Sequence, residues 1–141
     1  MMCTLRQRRC SLLELLILAI LTSEGNLHGY ALYKRIMEIT RMQWKPSIGT
    51  IYRLLNNMAE RGLVSKNVEN RKHSYSITAK GLEYFIENSK IPLIRKAGVL
   101  ATILEAYFMI AEEKADIITD DLKERLRILN NILEKHRDLV E

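Results

Sequence analysis

The chain has 141 residues, 48% hydrophobic and 28% charged, a balance that excludes a disordered polypeptide and suffices for one buried core with or without an appendage. Its formal charge of +5 is unevenly placed: residues 1–90 carry 14 Lys and Arg against 7 Asp and Glu, while residues 91–141 carry 8 against 10. A polyanionic partner would therefore meet the first part.

The chain begins with a basic arm, residues 1–10, holding Arg6, Arg8 and Arg9 together with the two cysteines, Cys3 and Cys10. Without a Cys-x-x-Cys pair these read as spare thiols in a reducing, cytoplasmic setting, with a redox switch as the less favoured alternative. The apolar run Leu12 to Leu21 that follows the arginines raises the question of a signal peptide or membrane span, but it is far shorter than the ~20 residues a span requires, and no small-residue cleavage site follows it. Ser11 and Glu14 instead make a Ser-x-x-Glu capping box. Helix one is predicted from about Ser11 to Ser23, stopping at Gly25-Asn26. Its apolar residues cover every face, so something besides its own domain must cover part of it.

Helix two is predicted from near Leu27 to about Arg41, with Leu32, Tyr33, Ile36 and Met37 inward and Lys34, Arg35 and Glu38 outward. The linker Met42 to Pro46 resets the chain direction, with Trp44 as a packing wedge between helices two and three. Helix three follows, N-capped by Ser47 and stopped at Gly62. Ile48, Ile51, Leu55 and Met58 form its apolar stripe; Gly49, Arg53, Asn56 and Asn57 form the opposite face, with Thr50 at the edge. No acidic residue occurs on this helix before Glu60, so its first half carries hydrogen-bonding groups and nothing that repels phosphate.

Two strands are predicted next, Leu63 to Val68 and Ser74 to Ile77, joined by a turn from Glu69 to His73. Such a short hairpin is unstable alone and must lean on the helices. Thr78 caps a fourth helix, Ala79 to about Ser89, with Leu82, Phe85 and Ile86 inward, and Pro92 marks a boundary. Beyond it lie two helical segments: Leu93 to Ala111, and a last one whose stripe Ile118, Leu122, Leu126, Leu129, Leu133 and Val140 resembles a coiled-coil seam. The expected fold class is mainly α with a small two-stranded hairpin, a winged helix-turn-helix over residues 11–90 followed by a helical dimerisation region over residues 91–141.

Four pieces in order, Leu27-His28-Gly29-Tyr30, Trp44-x-Pro46-Ser47-x-Gly49-Thr50-x-Tyr52, Arg61-Gly62-Leu63-Val64 and Tyr75-x-Ile77-Thr78-x-Lys80-Gly81, resemble the PadR-like winged-helix transcriptional regulators over about residues 11 to 88. The resemblance implies a homodimer that binds a roughly palindromic operator through two winged helices and dimerises through helical C-terminal arms against helix one. It also implies repression as a common mode, with a small aromatic or lipophilic molecule, or stress, as a possible signal.

Physical chemistry assigns roles to individual residues within that frame. Ser47 and Thr50 hold the start of helix three against phosphate, where unpaired amides and the helix dipole favour an anion. Arg53, Asn56 and Asn57 face base edges, arginine suiting guanine and asparagine adenine. Gly49 fits close approach of another backbone, because a mid-helix glycine costs about 1 kcal/mol against alanine. Arg71, Lys72 and His73 contact phosphate or a minor groove, and Tyr30, Lys34 and Tyr52 add backbone contacts, although Tyr30 is equally suited to a core. Expected dimer contacts are Leu16 and Ile20 on helix one and Leu100, Leu104, Tyr107, Phe108, Leu122, Leu126, Leu129 and Leu133 beyond it. Leu104, Tyr107 and Phe108 also suit a small hydrophobic effector.

His28, His73 and His136 lack ligand spacing, so no metal site is expected. No nucleophile triad, phosphate loop or paired carboxylates can be assembled, and the chain reads as neither an enzyme nor a cofactor protein. Two other readings stay open: a winged helix that binds an acidic protein partner, and an architectural protein that binds DNA without sequence preference.

Overall fold

A computed structural model describes residues 10–41 and 46–141. The expectations for Cys3, the arginines of the arm and Trp44 lie outside the described residues. By internal contacts the chain divides into a unit ending at Leu93 and a unit spanning Ile94–Glu141.

The first unit begins with α1 (Leu12–Glu24), which Ser11 caps by accepting the Glu14 amide at 3.1 Å. The other half of the expected capping box is absent, because the Glu14 carboxylate turns inward and is 2% exposed. Leu27–His28 form a short strand, β1, where a helix start was expected, and α2 follows at Gly29–Thr40. His28 is extended, with φ −69° and ψ 149°, and its segment pairs with a neighbouring strand instead of joining the helix.

Helix α3 (Ile48–Glu60) starts where Ser47 accepts the Thr50 amide at 3.1 Å. It ends before Gly62, whose φ of 77° lies in the left-handed region that favours glycine. Strands β2 (Val64–Glu69) and β3 (Lys72–Ile77) are antiparallel, and β1 pairs with the free edge of β3, giving the sheet order β1-β3-β2. The expected hairpin is thus present, and a third strand supports it. Its turn is tighter than expected: Glu69 pairs with Lys72, so only Asn70 and Arg71 make the bend, with φ 48° and 65°. That is the primed geometry that matches the twist of paired strands.

Thr78 then locks helix, sheet and next helix together. Its hydroxyl lies 2.6 Å from the Gly62 carbonyl and accepts the Gly81 amide at 3.0 Å, at the start of α4 (Ala79–Ala111). A Cβ at Gly81 would collide with the Leu63 carbonyl, and this close approach sets the rotation of the helix. Tyr84 and Phe85 therefore pack on the core and Ser89 is buried, while Leu82 and Ile86, expected inward, are exposed. The helix also continues through Pro92 instead of ending near Ser89. Proline forfeits a single backbone donor and costs about 3 kcal/mol locally, and the helix runs on through Leu93, Arg95, Lys96 and Ala97, which favour it.

The core of this unit draws on α1, α2, α3 and the sheet, from Leu18, Ile17 and Leu21 to Leu32, Ile36, Ile51, Leu55 and Tyr75. Ile20, expected at a dimer interface, belongs to this core and is 3% exposed; Leu16 is half-buried against it. Helix α1 is more fully enclosed by α2 and β3 than its uniform apolarity suggested.

In the second unit a 3₁₀ turn (Ala115–Ile117) follows α4, and the Tyr107 hydroxyl donates to the Ile117 carbonyl at 2.9 Å. Thr119 caps α5 (Asp120–Lys135), and a short α6 (Arg137–Val140) ends the chain described. Ile118 and Val140, the ends of the expected stripe, therefore fall outside α5. Among the described residues no helix is long and apolar enough to cross a membrane.

Candidate nucleic-acid interface

β1, α2, α3 and the hairpin of the first unit converge on a cleft of about 590 Å³. β1 and the start of α2 bring His28, Tyr30 and Lys34; α3 brings Tyr52; the hairpin brings Arg71, Lys72 and His73. No carboxylate lines it among the described residues, so its permanent charges are all positive. Residues far apart in sequence meet here because β1 pairs with β3, His28 lying opposite Ser74. Tyr30 is 57% exposed and stacks on Tyr33 at 6.2 Å, and the Lys34 ammonium sits 5.5 Å from the Tyr30 ring. Of the two roles open to Tyr30, the structure gives it the surface one.

Gly29 has a specific task. A Cβ at this position would run into the Tyr52 ring, whose Cζ and Oη both stand only 2.8 Å from where it would be. Glycine lets Tyr52 cross the start of α2 and bring its edge into the cleft. Gly49 is different: a Cβ there would meet only Ser47 Oγ, at 3.8 Å, so nothing within the described chain requires glycine.

The outer face of α3 presents Arg53 and Asn56 exposed, with Thr50 and Asn57 half-buried. Thr50, Arg53, Leu54 and Asn57 line a shallow indentation of about 250 Å³. At the helix start, the Ser47 and Thr50 hydroxyls are 2.9 Å apart. Ile48, assigned to the inward stripe, is 40% exposed, while Ile51, Leu55 and Met58 are buried as expected.

Three residues to which the sequence gives no part in this face nonetheless shape it. Lys66, on β2, donates to Asn56 Oδ1 at 3.3 Å. Arg61 donates to Asn57 Oδ1 at 3.2 Å and lies 3.6 Å from Glu14 Oε2. Glu14 also accepts from the Tyr84 hydroxyl at 3.2 Å, and the Arg61 guanidinium lies over the Tyr84 ring at 5.0 Å. A buried carboxylate is costly unless paired and hydrogen-bonded, and here it has both. Burial, followed by the Cys10 thiol, pushes the Tyr84 hydroxyl up to about 12. Burial likewise raises the Cys10 thiol, the opposite of an activated cysteine. Ser-x-x-Glu spacing hid Glu14 behind its commoner capping role, Arg61 stood out only as part of a helix-to-strand junction, and nothing in the local sequence marks Lys66.

The expected dimer residues of the second unit are spread over α4 and α5. Leu104, Tyr107, Leu122, Leu126 and Leu129 are half-buried; Leu100, Phe108 and Leu133 are exposed. No cluster of metal-binding side chains occurs among the described residues.

Comparison with known proteins agrees with this fold. The transcriptional regulator YqjI of Escherichia coli (strain K12) is 35% identical over 77 residues, a match that takes in 54% of this chain and 37% of that protein. Among solved structures, TA0346 of Thermoplasma acidophilum is 32% identical with a TM-score of 0.51, over 67% of this chain and 90% of that one. A PadR family transcription regulator from Clostridium difficile R20291 shares the fold at 24% identity and a TM-score of 0.52, over 67% and 99% of the respective chains. The family model described as "Transcriptional regulator PadR-like family" matches residues 17–87, and with the winged helix-turn-helix just described, the chain belongs to the PadR-like family of DNA-binding transcriptional regulators.

Proposed function

We propose that the protein is a cytoplasmic homodimeric repressor that occupies a two-fold symmetric operator, without enzymatic activity. Helix α3 enters the major groove with Arg53, Asn56 and Asn57 at base edges, while Ser47, Gly49 and Thr50 at its start approach the backbone. Tyr30, Lys34, Tyr52, Arg71, Lys72 and His73 hold flanking phosphates. Residues 91–141, with the outer side of α1 around Leu12 and Leu16, join two subunits so that half-sites fall about one DNA turn, ~34–36 Å, apart.

The observation that carries this reading is the cleft between α2 and the hairpin: cationic, free of carboxylates among the described residues, and bordered by the helix whose outer face is polar. A solvated hairpin tip would account for its charges but not for their convergence with Lys34 and two tyrosine hydroxyls. Alanine at Arg53 is expected to lower discrimination between operator and random duplex by about tenfold. Alanine at both Arg71 and Lys72 is expected to weaken binding to either duplex and to flatten the salt dependence by up to about 2 in log-log slope. An unchanged affinity and salt slope in that double variant would refute the role given to the hairpin.

A hydrophobic or aromatic effector fits the same reading, held near Leu104, Tyr107 and Phe108 and altering the separation of the reading helices. Operator affinity measured across a panel of hydrophobic aromatics tests it, and equal affinity throughout would remove its support.

A further inference from the structure

Both asparagines of α3 hold the same chemical posture. An asparagine side chain offers one carbonyl acceptor and two amide donors, and paired reading of adenine uses both ends, the amide toward N7 and the carbonyl toward the N6 amino group. Here each carbonyl is already engaged by a cation, Asn56 Oδ1 by Lys66 Nζ at 3.3 Å and Asn57 Oδ1 by Arg61 Nη1 at 3.2 Å. Lysine and arginine are donors only, so each fixes the amide with its oxygen toward the cation and its nitrogen away.

The two cations are placed differently, Lys66 on an exposed strand position and Arg61 in a buried cluster. Lys66 lies in β2 opposite Tyr75, a core residue. Arg61 is tied to buried Glu14 and stacked on Tyr84. A second donor seeking either asparagine oxygen must come up beside a positive charge, which disfavours the partially positive amino group of adenine or cytosine. Arg53, on the same face, has donors alone. The base-reading side chains of α3 thus present donors with their acceptors turned away.

We propose that Lys66 and Arg61 are specificity-determining positioning residues, which make α3 a donor surface selecting keto bases on the contacted strand. Guanine, with acceptors at N7 and O6, comes first; thymine, with O4, second; adenine and cytosine present amino groups to asparagine oxygens already engaged by cations. This rests on α3 being the reading helix and reverses the adenine preference that asparagine alone implies.

The test is selection of duplexes from a random pool by the full chain and by its Asn56→Ala, Asn57→Ala, Lys66→Met and Lys66→Arg variants. Positions whose preference collapses in the alanine variants are those the asparagines read. At these positions the unaltered chain is expected to enrich keto bases over adenine by about tenfold. Lys66→Met frees Asn56 Oδ1 and is expected to bring adenine within about twofold of guanine at the Asn56 position alone. Lys66→Arg retains the original preference, and an unchanged unfolding midpoint shows that neither Lys66 substitution acts through stability. Adenine enriched by the unaltered chain, or a preference that Lys66→Met leaves intact, overturns the proposal. A motif indifferent to both asparagines overturns it while leaving DNA reading in place. An unenriched pool overturns the assignment of α3 and this proposal with it.

Discussion

The two units of the chain bury their apolar residues to very different degrees. Up to Leu93, 13 hydrophobic side chains among the described residues close into a core with nine-tenths or more of each removed from solvent. Between Ile94 and Glu141 no residue is buried, although Ile103, Ile110, Ile128 and Ile132 are all more than half exposed. Helical pattern and capping are enough to define α5, yet amphipathic helices draw most of their stability from a surface to pack on. The winged unit supplies that surface from within, whereas the second unit presents apolar area of the kind that marks an interaction site. This contrast supports assigning recognition to the first and assembly to the second.

The largest effect is expected from attacking the second unit. Leu126→Asp combined with Leu133→Asp is expected to convert a dimer to a monomer in sedimentation. Operator affinity is expected to fall by about a hundredfold or more as the two half-sites lose their linkage. A dimer that survives both charges would break the contrast. In the first unit, Arg61→Met strands the Glu14 carboxylate without its cation and is expected to cost about 3 kcal/mol of stability, read as a lower denaturant midpoint at unchanged oligomeric mass.

Alkaline titration probes the same cluster with a smaller effect. The unfolded chain releases the Tyr84 proton near its ordinary value of 10, the folded chain only at about 12. Above the unfolded value the folded state therefore binds more protons, so stability is full below pH 10 and declines as pH rises toward 12. Cys10, also raised by burial, adds loss in the same direction from its ordinary 9.0 upward. Denaturant unfolding at about pH 9 and about pH 11 is expected to show this decline, and Tyr84→Phe to reduce it.

The smallest effect concerns the hairpin tip. Arg71 sits at φ 65°, where a non-glycine residue is strained. Arg71→Gly is expected to stabilise the fold by up to about 1 kcal/mol while weakening DNA binding. Loss of both stability and binding would show that Arg71 has a packing role instead.

Local signals made most of the first unit legible. Ser47 and Gly62 act within a few residues of themselves, as does Thr78 in capping α4, and α3 begins and ends where capping chemistry places it. The face holding Arg53 and Asn56 followed from a simple 3.6-residue period, because it depends on no other element. Pro92 was misleading for the same reason: its effect on helix is local and statistical, and the flanking turns outweigh it. Leu82 and Ile86 were misplaced because the rotation of α4 is set by the approach of Gly81 to Leu63 across the sheet junction.

From sequence alone come the fold class, the polarity of α3 and the basic character of the hairpin, properties of neighbouring residues and their spacing, together with the family resemblance that four short motifs carry. Tertiary structure alone decides that His28, Lys34, Tyr52 and Arg71 share one cleft, that Ile20 is core, and that Glu14 is a buried partner of Arg61. It also decides that Lys66 and Arg61 donate to the two asparagine carbonyls of α3. The physical reason is range: capping and periodicity act over a few residues, whereas burial, charge pairing and close approach depend on which elements the fold brings together.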